Sequence, residues 1–388
     1  HEGRCHGRCS HVGSMGGGGG GGACATTMKL DPSALRYLSK DDFRVLTAVE
    51  LGQRNHEIVP TVLVERIANL GRGDAYKVAK NLLRHKLVHH ERKKYDGYRL
   101  TTLGYDYLAI QALVKKGLIS GVGTQIGVGK ESDIFEATDE QGRAMVLKLH
   151  RLGRTSFRAV KNKRDYLEHR KNFSWLYLSR LAAKKEFAFM RALGEHGFPV
   201  PEAIEVNRHC VLMERMAAYP LVRVRNLGNV QDVYRQAVGL VARLAQHGLI
   251  HCDFNEFNLM ITEREELIVI DFPQMVSTSH PNAKMFYERD VRCIVDWFHK
   301  QYRYDDVDDA ESHFSFETVV GRSAAGLLDK ELRASGYDKE CEDTLEDWRK
   351  ASHGDSGSSE EEEELSNDEE ELPELERAAL DVTKLEVG

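Results

Sequence analysis

The sequence predicts a protein of the α+β class with two folded parts and a charged tail. Three helical patterns close on a hairpin near the start, and short apolar strands that end in polar residues follow them. A long amphipathic helix, 230–248, then divides these strands into two groups. With 388 residues, 41% of them hydrophobic, the chain is long enough for two or three domains with apolar cores.

The charge of the chain is distributed unevenly. The net charge is −7, but residues 355–376 carry twelve acidic side chains and no basic one, so the rest of the chain has a net charge of about +5. A mildly basic body suggests an anionic partner such as nucleic acid. The tail, 351–388, is too charged to bury a core, and we expect it to be mostly disordered.

Cysteine usage and hydropathy indicate where the protein works. Cys210, Cys252 and Cys293 stand singly in the sequence, as reduced cysteines do in intracellular proteins. No apolar run approaches the roughly 18–20 residues of a membrane helix, so no membrane contact is expected. Residues 1–27 are rich in Gly and His and have the character of a tag or disordered leader.

Residues 28–118 have the pattern of a small domain of three helices and a hairpin. The first helix is expected to begin at the capping residues Asp41 and Asp42, and the third at Asp74. Residues 60–68 form the second, with apolar periodicity at Val62, Leu63 and Ile67. Asp96-Gly97 predicts a two-residue hairpin turn, with a basic arm before it made of Arg92, Lys93 and Lys94.

This arrangement resembles a winged-helix domain. The third helix would expose Lys77, Lys80 and Arg84 and turn its apolar residues inward, namely Val78, Leu82 and Leu83. In a winged-helix domain, that helix and the hairpin contact phosphates or a groove, which here points to RNA. A domain that only packs on its neighbour would show the same lysines as a solvated face, so both interpretations stand.

The most informative stretch is 249–272. His251-x-Asp253-x-x-x-x-Asn258 follows an apolar strand, and Asp271 ends another. Kinase catalytic and metal-binding loops use this spacing. We therefore predict that Asp253 accepts or orients the proton of the attacking group. Asn258 and Asp271 would hold Mg²⁺, with Asp271 as the second catalytic carboxylate. A polar turn between two core strands is the alternative.

A glycine-rich loop lies earlier, within residues 121–137. Its spacing matches the kinase pattern Gly-x-Gly-x-x-Gly-x-Val, with Ser132 in place of the third glycine. Glycines let backbone N–H groups approach phosphates. The nucleotide-binding residues predicted here are Gly127, Val128, Gly129, Lys130, Ser132 and Ile134. Because Glu131 follows Lys130, this is not a Walker A loop.

Lys148 interrupts an apolar strand and therefore needs an anionic partner. Nucleotide phosphates and Glu186, on the next helix, would supply the negative charge, unless the strand lies at a sheet edge. A later apolar strand, 210–214, resembles the hinge between kinase lobes. There the backbone of Glu214 and Met216 would bind adenine and Met213 would line the pocket, although a purely structural buried strand fits equally.

Residues 151–185 are strongly basic. They hold eleven Lys or Arg against two acidic residues, with aromatic residues interleaved. This composition suits RNA contact, and part of the segment is expected to order only on binding. A solvated loop and helix face is the other interpretation. The stretch from Arg151 to Lys185 is also longer than the usual kinase connection at this point.

Together these motifs resemble the RIO-type atypical serine/threonine protein kinases, second subfamily. The resemblance implies a winged helix followed by a compact bilobal protein-kinase-like fold, with an N-lobe over 119–216 and a C-lobe over 217–350. It also implies ATP and Mg²⁺ as cofactors and a role in maturation of the small (40S) ribosomal subunit. The expected partner is the pre-40S particle, with its rRNA and ribosomal proteins. The expected location is the cytoplasm, with shuttling through the nucleus left open.

Departures from ordinary protein kinases bear on the reaction. Pro273 replaces the glycine after Asp271-Phe272, and no Ala-Pro-Glu follows. The resemblance implies that ATP hydrolysis, which would drive release from the particle, matters more than protein phosphorylation, and these departures support that expectation. Small-molecule kinases share the His-x-Asp loop, but they need a large acceptor lobe that this pattern does not predict. A nucleotide-gated RNA- or ribosome-binding module is the alternative outside enzymology.

Overall fold

The structure is a computed structural model, and it describes residues 37–70, 72–92, 96–152, 175–304 and 315–321, together with Leu30, Leu328 and Leu332. The N-terminal elements are α1 Lys40–Gly52, β1 Val59–Pro60, α2 Thr61–Ala68, α3 Arg72–Arg84, β2 Val88–Glu91, β3 Gly97–Leu100 and α4 Thr102–Lys115. The middle elements are β4 Gly121–Val128, β5 Ser132–Thr138, β6 Ala144–His150, α5 Trp175–Glu195, β7 Ala203–Asn207 and β8 Cys210–Glu214. The last are β9 Ala218–Pro220, α6 Val230–Gln246, β10 Leu249–Ile250, β11 Leu259–Thr262, β12 Leu267–Val269, β13 Val276–Ser277, α7 Ala283–Tyr302 and α8 Phe316–Gly321.

The N-terminal elements form a winged-helix domain, as predicted. Its small sheet has the strand order β1-β3-β2. The first helix begins differently from the prediction, because Ser39 is its cap. The Ser39 hydroxyl accepts from the backbone N–H of Asp42 at 3.1 Å, and the Asp42 carboxylate accepts from the backbone N–H of Ser39 at 2.8 Å. Asp42 is therefore the partner in a capping box.

Two further predictions for this domain are wrong. In α2 the buried residues are Val64 and Ala68. Of the predicted apolar residues Leu63 packs against the core, whereas Val62 is 66% exposed and Ile67 is 37% exposed. In the hairpin, Gly97 pairs with Glu91, so Gly97 lies within β3 and is not the second residue of a two-residue turn. A Cβ on Gly97 would lie 2.7 Å from the carbonyl oxygen of Val59, so close backbone approach explains this glycine.

The basic surface of the winged helix is partly described. On α3 the predicted basic residues Lys77, Lys80 and Arg84 are exposed and Leu82 is buried, as expected. Arg92 is exposed as well, whereas Lys93 and Lys94 of the hairpin arm lie outside the described residues. This surface is therefore available for an anionic partner.

The middle elements form an antiparallel five-stranded sheet with the order β4-β5-β6-β8-β7. Because side chains alternate along a strand, the sheet serves two cores. Leu147 and Leu212 belong to a core shared with the winged helix, which includes Leu46 and Ile110. Val211 faces the other way, into the core of the C-lobe. The sheet thus connects the winged helix to the rest of the protein.

The C-lobe is built on α6 and α7. Asn229 caps α6 through its side-chain oxygen, which accepts from the backbone N–H of Asp232 at 3.1 Å. The helix buries Val233, Ala237 and Leu244 against the same core that contains Ile294 of α7. β11 pairs with β12 and with β9, and this small sheet carries the catalytic loop at one end.

The basic segment 151–185 is described only at its two ends, since residues 153–174 lie outside the described part of the chain. Arg151 and Lys185 are 7% and 1% exposed, so these two side chains are buried, and RNA contact by the segment stays a prediction. Arg180 and Lys184 of α5 are exposed. The acidic tail also lies outside the described residues. Among the described helices, none is long and apolar enough to span a bilayer.

Candidate active site

The hairpin of β11 and β12 brings the two predicted metal ligands together. Asn258 directly precedes β11, and Asp271 lies two residues after the end of β12. The strands are antiparallel with Leu259 opposite Val269, so both residues lie at the same end of the hairpin. The backbone N–H of Ile270 donates to the carbonyl oxygen of Asn258 at 3.0 Å and fixes this approach.

The carboxylate of Asp253 is held at both oxygens. The side-chain amide of Asn255 donates to Oδ1 at 2.8 Å, and that of Asn258 donates to Oδ2 at 2.9 Å. Asn258 also donates to the backbone carbonyl of Asp253 at 2.9 Å. Because two amides define its plane, this carboxylate is oriented before a substrate arrives, as a general base requires.

Asp290 on α7 supports the catalytic loop from inside the C-lobe. Its carboxylate accepts from the backbone N–H groups of Cys252 at 2.8 Å and Phe254 at 3.2 Å. The guanidinium of Arg289 donates to the carbonyl oxygen of Cys252. These bonds hold Cys252 at a φ of 65°, a left-handed conformation that costs a non-glycine residue on the order of 1–3 kcal/mol. Burial raises the pKa of Asp290 to about 6.

A buried charge cluster lies beside the metal-binding hairpin. The Lys148 ammonium is 2.6 Å from Oε1 of Glu186 and 2.9 Å from Oδ1 of Asp271. The other oxygen of Glu186 lies 2.6 Å from Nε2 of His150. The structure therefore brings together the predicted pair of Lys148 and Glu186, and it adds Asp271 and His150 to that pair.

The charges in this cluster stabilise one another. Burial lowers the pKa of Lys148, but Asp271 and Glu186 outweigh it and hold that pKa above its ordinary value. Burial raises the pKa of Asp271, but the Lys148 charge holds it below its ordinary value. His251, beside them, is fully buried, and burial lowers its pKa to about 4. At neutral pH the cluster has ionised carboxylates next to a neutral His251 ring.

The glycine-rich loop joins β4 to β5. The backbone N–H of Gly129 donates to the carbonyl oxygen of Ser132 at 2.7 Å, and a Cβ on Gly129 would lie 3.3 Å from the Ser132 hydroxyl. Val128 is 70% exposed and Lys130 is exposed, so both are accessible. Gly127 lies opposite Ile134, which in turn lies opposite Lys148 in the sheet. The loop is thus placed next to the charge cluster.

The predicted hinge is the end of β8. Met213 is 8% exposed and lies opposite Val146 of β6, so its place in an adenine pocket stays a prediction. The backbone N–H of Glu214 donates to the carbonyl oxygen of Glu202 at 3.0 Å. This N–H is therefore engaged within the protein, and adenine binding by the backbone of Glu214 and Met216 stays a prediction.

Sequence reasoning did not assign a role to three residues of this site. His150 follows Lys148 by two positions on the same strand, so period-two alternation could have placed both on one face. Asp290 interrupts an apolar face of α7 formed by Tyr287, Ile294 and Phe298, and that interruption was a usable signal. Asn255 carried no signal, because its contact with Asp253 depends on the shape of the loop.

The donor set fits Mg²⁺. Asp271 and Asn258 offer the hard oxygen ligands that this ion prefers, and the Asp271 side chain is 38% exposed, so it is accessible. When bound, the ion would neutralise negative charge on the phosphates of a nucleotide. The predicted acid–base residue, metal ligands and phosphate-binding lysine are therefore close together, whereas the predicted roles of the individual residues stay predictions.

The comparisons with known proteins agree with this geometry. The RIO domain family matches residues 133–311, and the family described as Rio2, N-terminal, matches residues 35–116. The chain is similar to serine/threonine-protein kinase rio2 of Dictyostelium discoideum, at 53% identity over 83% of this chain and 60% of that protein. It is also similar to rio2 of Schizosaccharomyces pombe, at 50% identity over 83% of this chain and 92% of that protein.

A solved structure extends the likeness to three dimensions. The Rio2 kinase of Chaetomium thermophilum, in a complex with ADP, Mg²⁺ and phosphoaspartate, matches with a TM-score of 0.75 and 46% identity. The match covers 84% of this chain and 100% of that one. The fold and the site thus define a RIO-type, kinase-like nucleotide-binding protein. The chain belongs to the Rio2 family of serine/threonine-protein kinases. The predicted family, fold class and cofactors are confirmed.

Proposed function

We propose that this chain is an atypical serine/threonine kinase and ATPase that transfers the γ-phosphoryl group of Mg-ATP. The proposal rests mainly on the Lys148 ammonium, which lies 2.9 Å from Oδ1 of Asp271. The Asp253 carboxylate, oriented by two side-chain amides, belongs to the same site. Positioning and charge stabilisation supply most of the catalysis in phosphoryl transfer, and this arrangement provides both.

The groups of the site divide the proposed reaction among them. Asp253 takes or orients the proton of the attacking hydroxyl or water. Asn258 and Asp271 hold Mg²⁺, and Lys148, kept in place by Glu186, binds the α- and β-phosphates. The backbone N–H groups of the loop 127–132 cover the phosphates.

The first acceptor of the phosphoryl group is proposed to be Asp271 itself, as the phosphoaspartate in the Chaetomium complex suggests. An oxygen of Asp271 forms a bond to the γ-phosphorus while the bond from that phosphorus to the β-phosphate oxygen breaks and ADP leaves. Water then releases phosphate and regenerates the carboxylate. Borohydride reduces an aspartyl phosphate to homoserine. Mass spectrometry of protein that is quenched in acid and then reduced should therefore detect this conversion at Asp271. ATP turnover without any such adduct would show that water is the direct acceptor.

We also propose that the protein acts in the cytoplasm on precursors of the small ribosomal subunit and that ATP hydrolysis drives its release. The exposed basic side chains of α3, at Lys77, Lys80 and Arg84, support contact with rRNA. Sedimentation of the protein with precursor particles tests this. We expect cosedimentation with a non-hydrolysable ATP analogue and release with ATP. Equal binding in both conditions would contradict a release role.

A nucleotide-gated binding module with little protein kinase activity is the second candidate. It is favoured by the core shared between the winged helix and the sheet that carries the glycine-rich loop, since nucleotide could then alter the binding surface. Hydrolysis stimulated by particles, without phosphorylation of a generic protein substrate, would favour this candidate. Efficient phosphorylation of such a substrate would favour the kinase.

A further inference from the structure

A second buried charge network lies away from the catalytic residues and centres on Arg151. Its guanidinium donates through Nη1 and Nη2 to the two oxygens of Asp106, at 2.6 and 2.8 Å. Its Nε donates to Oδ2 of Asp133 at 2.9 Å. His209 adds a contact from Nε2 to Asp106 at 2.8 Å. All four residues are at most 7% exposed.

This network connects the winged helix to the glycine-rich loop. Asp106 is on α4 of the winged-helix domain, whereas Asp133 is on β5, directly after Ser132. The backbone N–H of Arg151 also donates to the carbonyl oxygen of Glu131 at 2.6 Å. Arg151 therefore holds the chain on both sides of Ser132, with its side chain on one side and its backbone on the other.

The other arm of the loop is held by the same carboxylate. The side-chain amide of Gln125 on β4 donates to Oδ1 of Asp133 at 3.2 Å. In the sheet, Asp133 lies opposite Val128, the last residue of β4. Contacts of Asp133 thus reach both strands that frame the loop, and the loop itself contains the glycines that give it many alternative backbone conformations.

Stability alone is a poor explanation for this network. Burying an ion pair costs several kcal/mol of desolvation per ion, and well-packed apolar residues of similar volume are often as stabilising. What a guanidinium fork adds over apolar contact is direction, because its planar N–H groups bind carboxylates only at defined angles. The network is therefore suited to fixing the position of the groups that it joins.

We propose that Arg151 is a positioning residue for the nucleotide, and that Asp106 of the winged-helix domain sets the position of Arg151. Through Glu131 and Asp133, Arg151 holds the loop 127–132 in the shape that receives phosphates. Nucleotide affinity then depends on a domain that does not contact the nucleotide. The inference rests on the proposed function, because it places nucleotide phosphates under this loop.

The test compares two charge removals at the interface of the winged helix in the full chain. Asp106→Asn weakens the hold on Arg151. The control Glu50→Gln disrupts another ion pair of this interface, in which Arg208 lies 2.6 Å from Glu50 without contacting the loop. We measure the Kd of Mg-ADP, the KM for ATP, kcat, the Tm and the hydrogen exchange of residues 121–138 without nucleotide.

For Asp106→Asn we expect the Kd and KM to rise by about 5- to 10-fold, which is within the range of coupling between two sites in one protein. We expect little change in kcat and faster exchange of the loop amides. For Glu50→Gln we expect a lower Tm but an unchanged Kd and unchanged loop exchange. Unchanged Kd and loop exchange in Asp106→Asn, or equal changes in both variants, would overturn the proposal. If Asp106→Asn does not fold, Asp133→Asn is measured instead, with the same expectations.

Failure of the proposed function gives a different pattern. Wild-type protein would then bind Mg-ADP without turning over ATP, and the Kd of Mg-ADP and the exchange of residues 121–138 would still report whether Asp106 orders the loop. Faster exchange in Asp106→Asn alone would support the positioning role in that case. Exchange that matches the wild type would contradict it.

Discussion

At the scale of single residues, the site depends on side chains that orient other side chains. Each carboxylate oxygen of Asp253 accepts a hydrogen bond from a side-chain amide, one from Asn255 and one from Asn258. Asn258 is also part of the proposed metal site. Asn255 has no other role in the proposed chemistry than to hold Asp253. Its own side-chain oxygen accepts from the backbone N–H of Phe257 at 3.0 Å, so Asn255 is itself fixed.

Replacement of Asn255 tests how much this orientation contributes. In Asn255→Ala we expect kcat for ATP turnover to fall by about 10- to 100-fold, because a misplaced general base loses its alignment with the attacking group. KM should change little, since Asn255 does not contact the nucleotide in the proposed arrangement. Steady-state kinetics check this, with Asn282→Ala, at the exposed start of α7, as the control. A larger effect on KM than on kcat would contradict the role.

The residues that could be predicted from the sequence are those with a fixed local spacing. Asp253, Asn258 and Asp271 follow apolar strands at distances typical of kinases, and the lysine in an apolar strand required a buried partner. The role of Arg151 could not be predicted in this way. Its sequence neighbours are basic, which suggested a surface that binds RNA, whereas its carboxylate partners are 45 and 18 positions away in the chain.

At the scale of elements, helix α4 packs very closely on Leu87, the residue that precedes strand β2. A Cβ on Gly104 would lie 2.1 Å from the carbonyl oxygen of Leu87, whereas a Cβ on Gly239 in α6 would meet nothing within 4 Å. We expect Gly104→Ala to lower the free energy of unfolding by about 1–3 kcal/mol through overpacking. We expect Gly239→Ala to raise it by roughly 0.5–1 kcal/mol. Urea unfolding of both variants checks this, and equal changes in their free energies of unfolding would contradict the prediction.

Helix α7 should give the protein a pH dependence through Asp290. Burial raises the pKa of this carboxyl from 3.8 to about 6, so between these values the folded protein holds a proton that the unfolded chain releases. Its contribution to stability is therefore present at low pH and is lost as the pH rises to about 6, with a slope of up to about 1.4 kcal/mol per pH unit.

The matched variant for this prediction is Asp290→Asn, which cannot titrate. Urea unfolding at several pH values from 4.5 to 7 should show the wild type losing stability relative to the variant up to about pH 6, and a constant difference above it. A difference that does not change over this range would mean that Asp290 has an ordinary pKa.

Element positions were predicted better than the details of their ends. The three helices of the winged helix and the apolar strands follow from periodicity, since burial of one face dictates it. The cap of α1 and the hairpin connection did not follow. The cap of α1 is Ser39, although two aspartates nearby could also have capped the helix. Gly97 is needed because the backbone of Val59 lies close to it, and not because of a turn.

At the scale of the whole molecule, the winged helix and one face of the five-stranded sheet have a common core. Leu46 and Ile110 of the winged helix belong to one buried cluster with Phe135 and Leu147 of the sheet. The predicted boundary at residue 118 therefore does not separate two independent cores. Ion pairs of Arg151 and Arg208 cross the same interface.

This common core predicts cooperative unfolding of the two parts. Removal of either one would expose apolar surface that burial stabilises by roughly 25 cal/mol per Å². Native-state hydrogen exchange with increasing urea should show the slowest amides of α4 and of β6 opening in the same step, with equal free energies. Opening of the α4 amides at a clearly lower free energy would show that the winged helix unfolds independently.

In the proposed mechanism, turnover of Mg-ATP requires Asp253 to take or orient the proton of the attacking hydroxyl or water. ATP turnover by the full chain, measured for the wild type and for Asp253→Ala beside the Kd of Mg-ADP, tests it most directly. We expect turnover to fall by at least about 100-fold while Mg-ADP binding is retained, because loss of a general base affects the chemical step. Turnover by Asp253→Ala at the wild-type rate would contradict the assignment of Asp253 and with it the proposed mechanism.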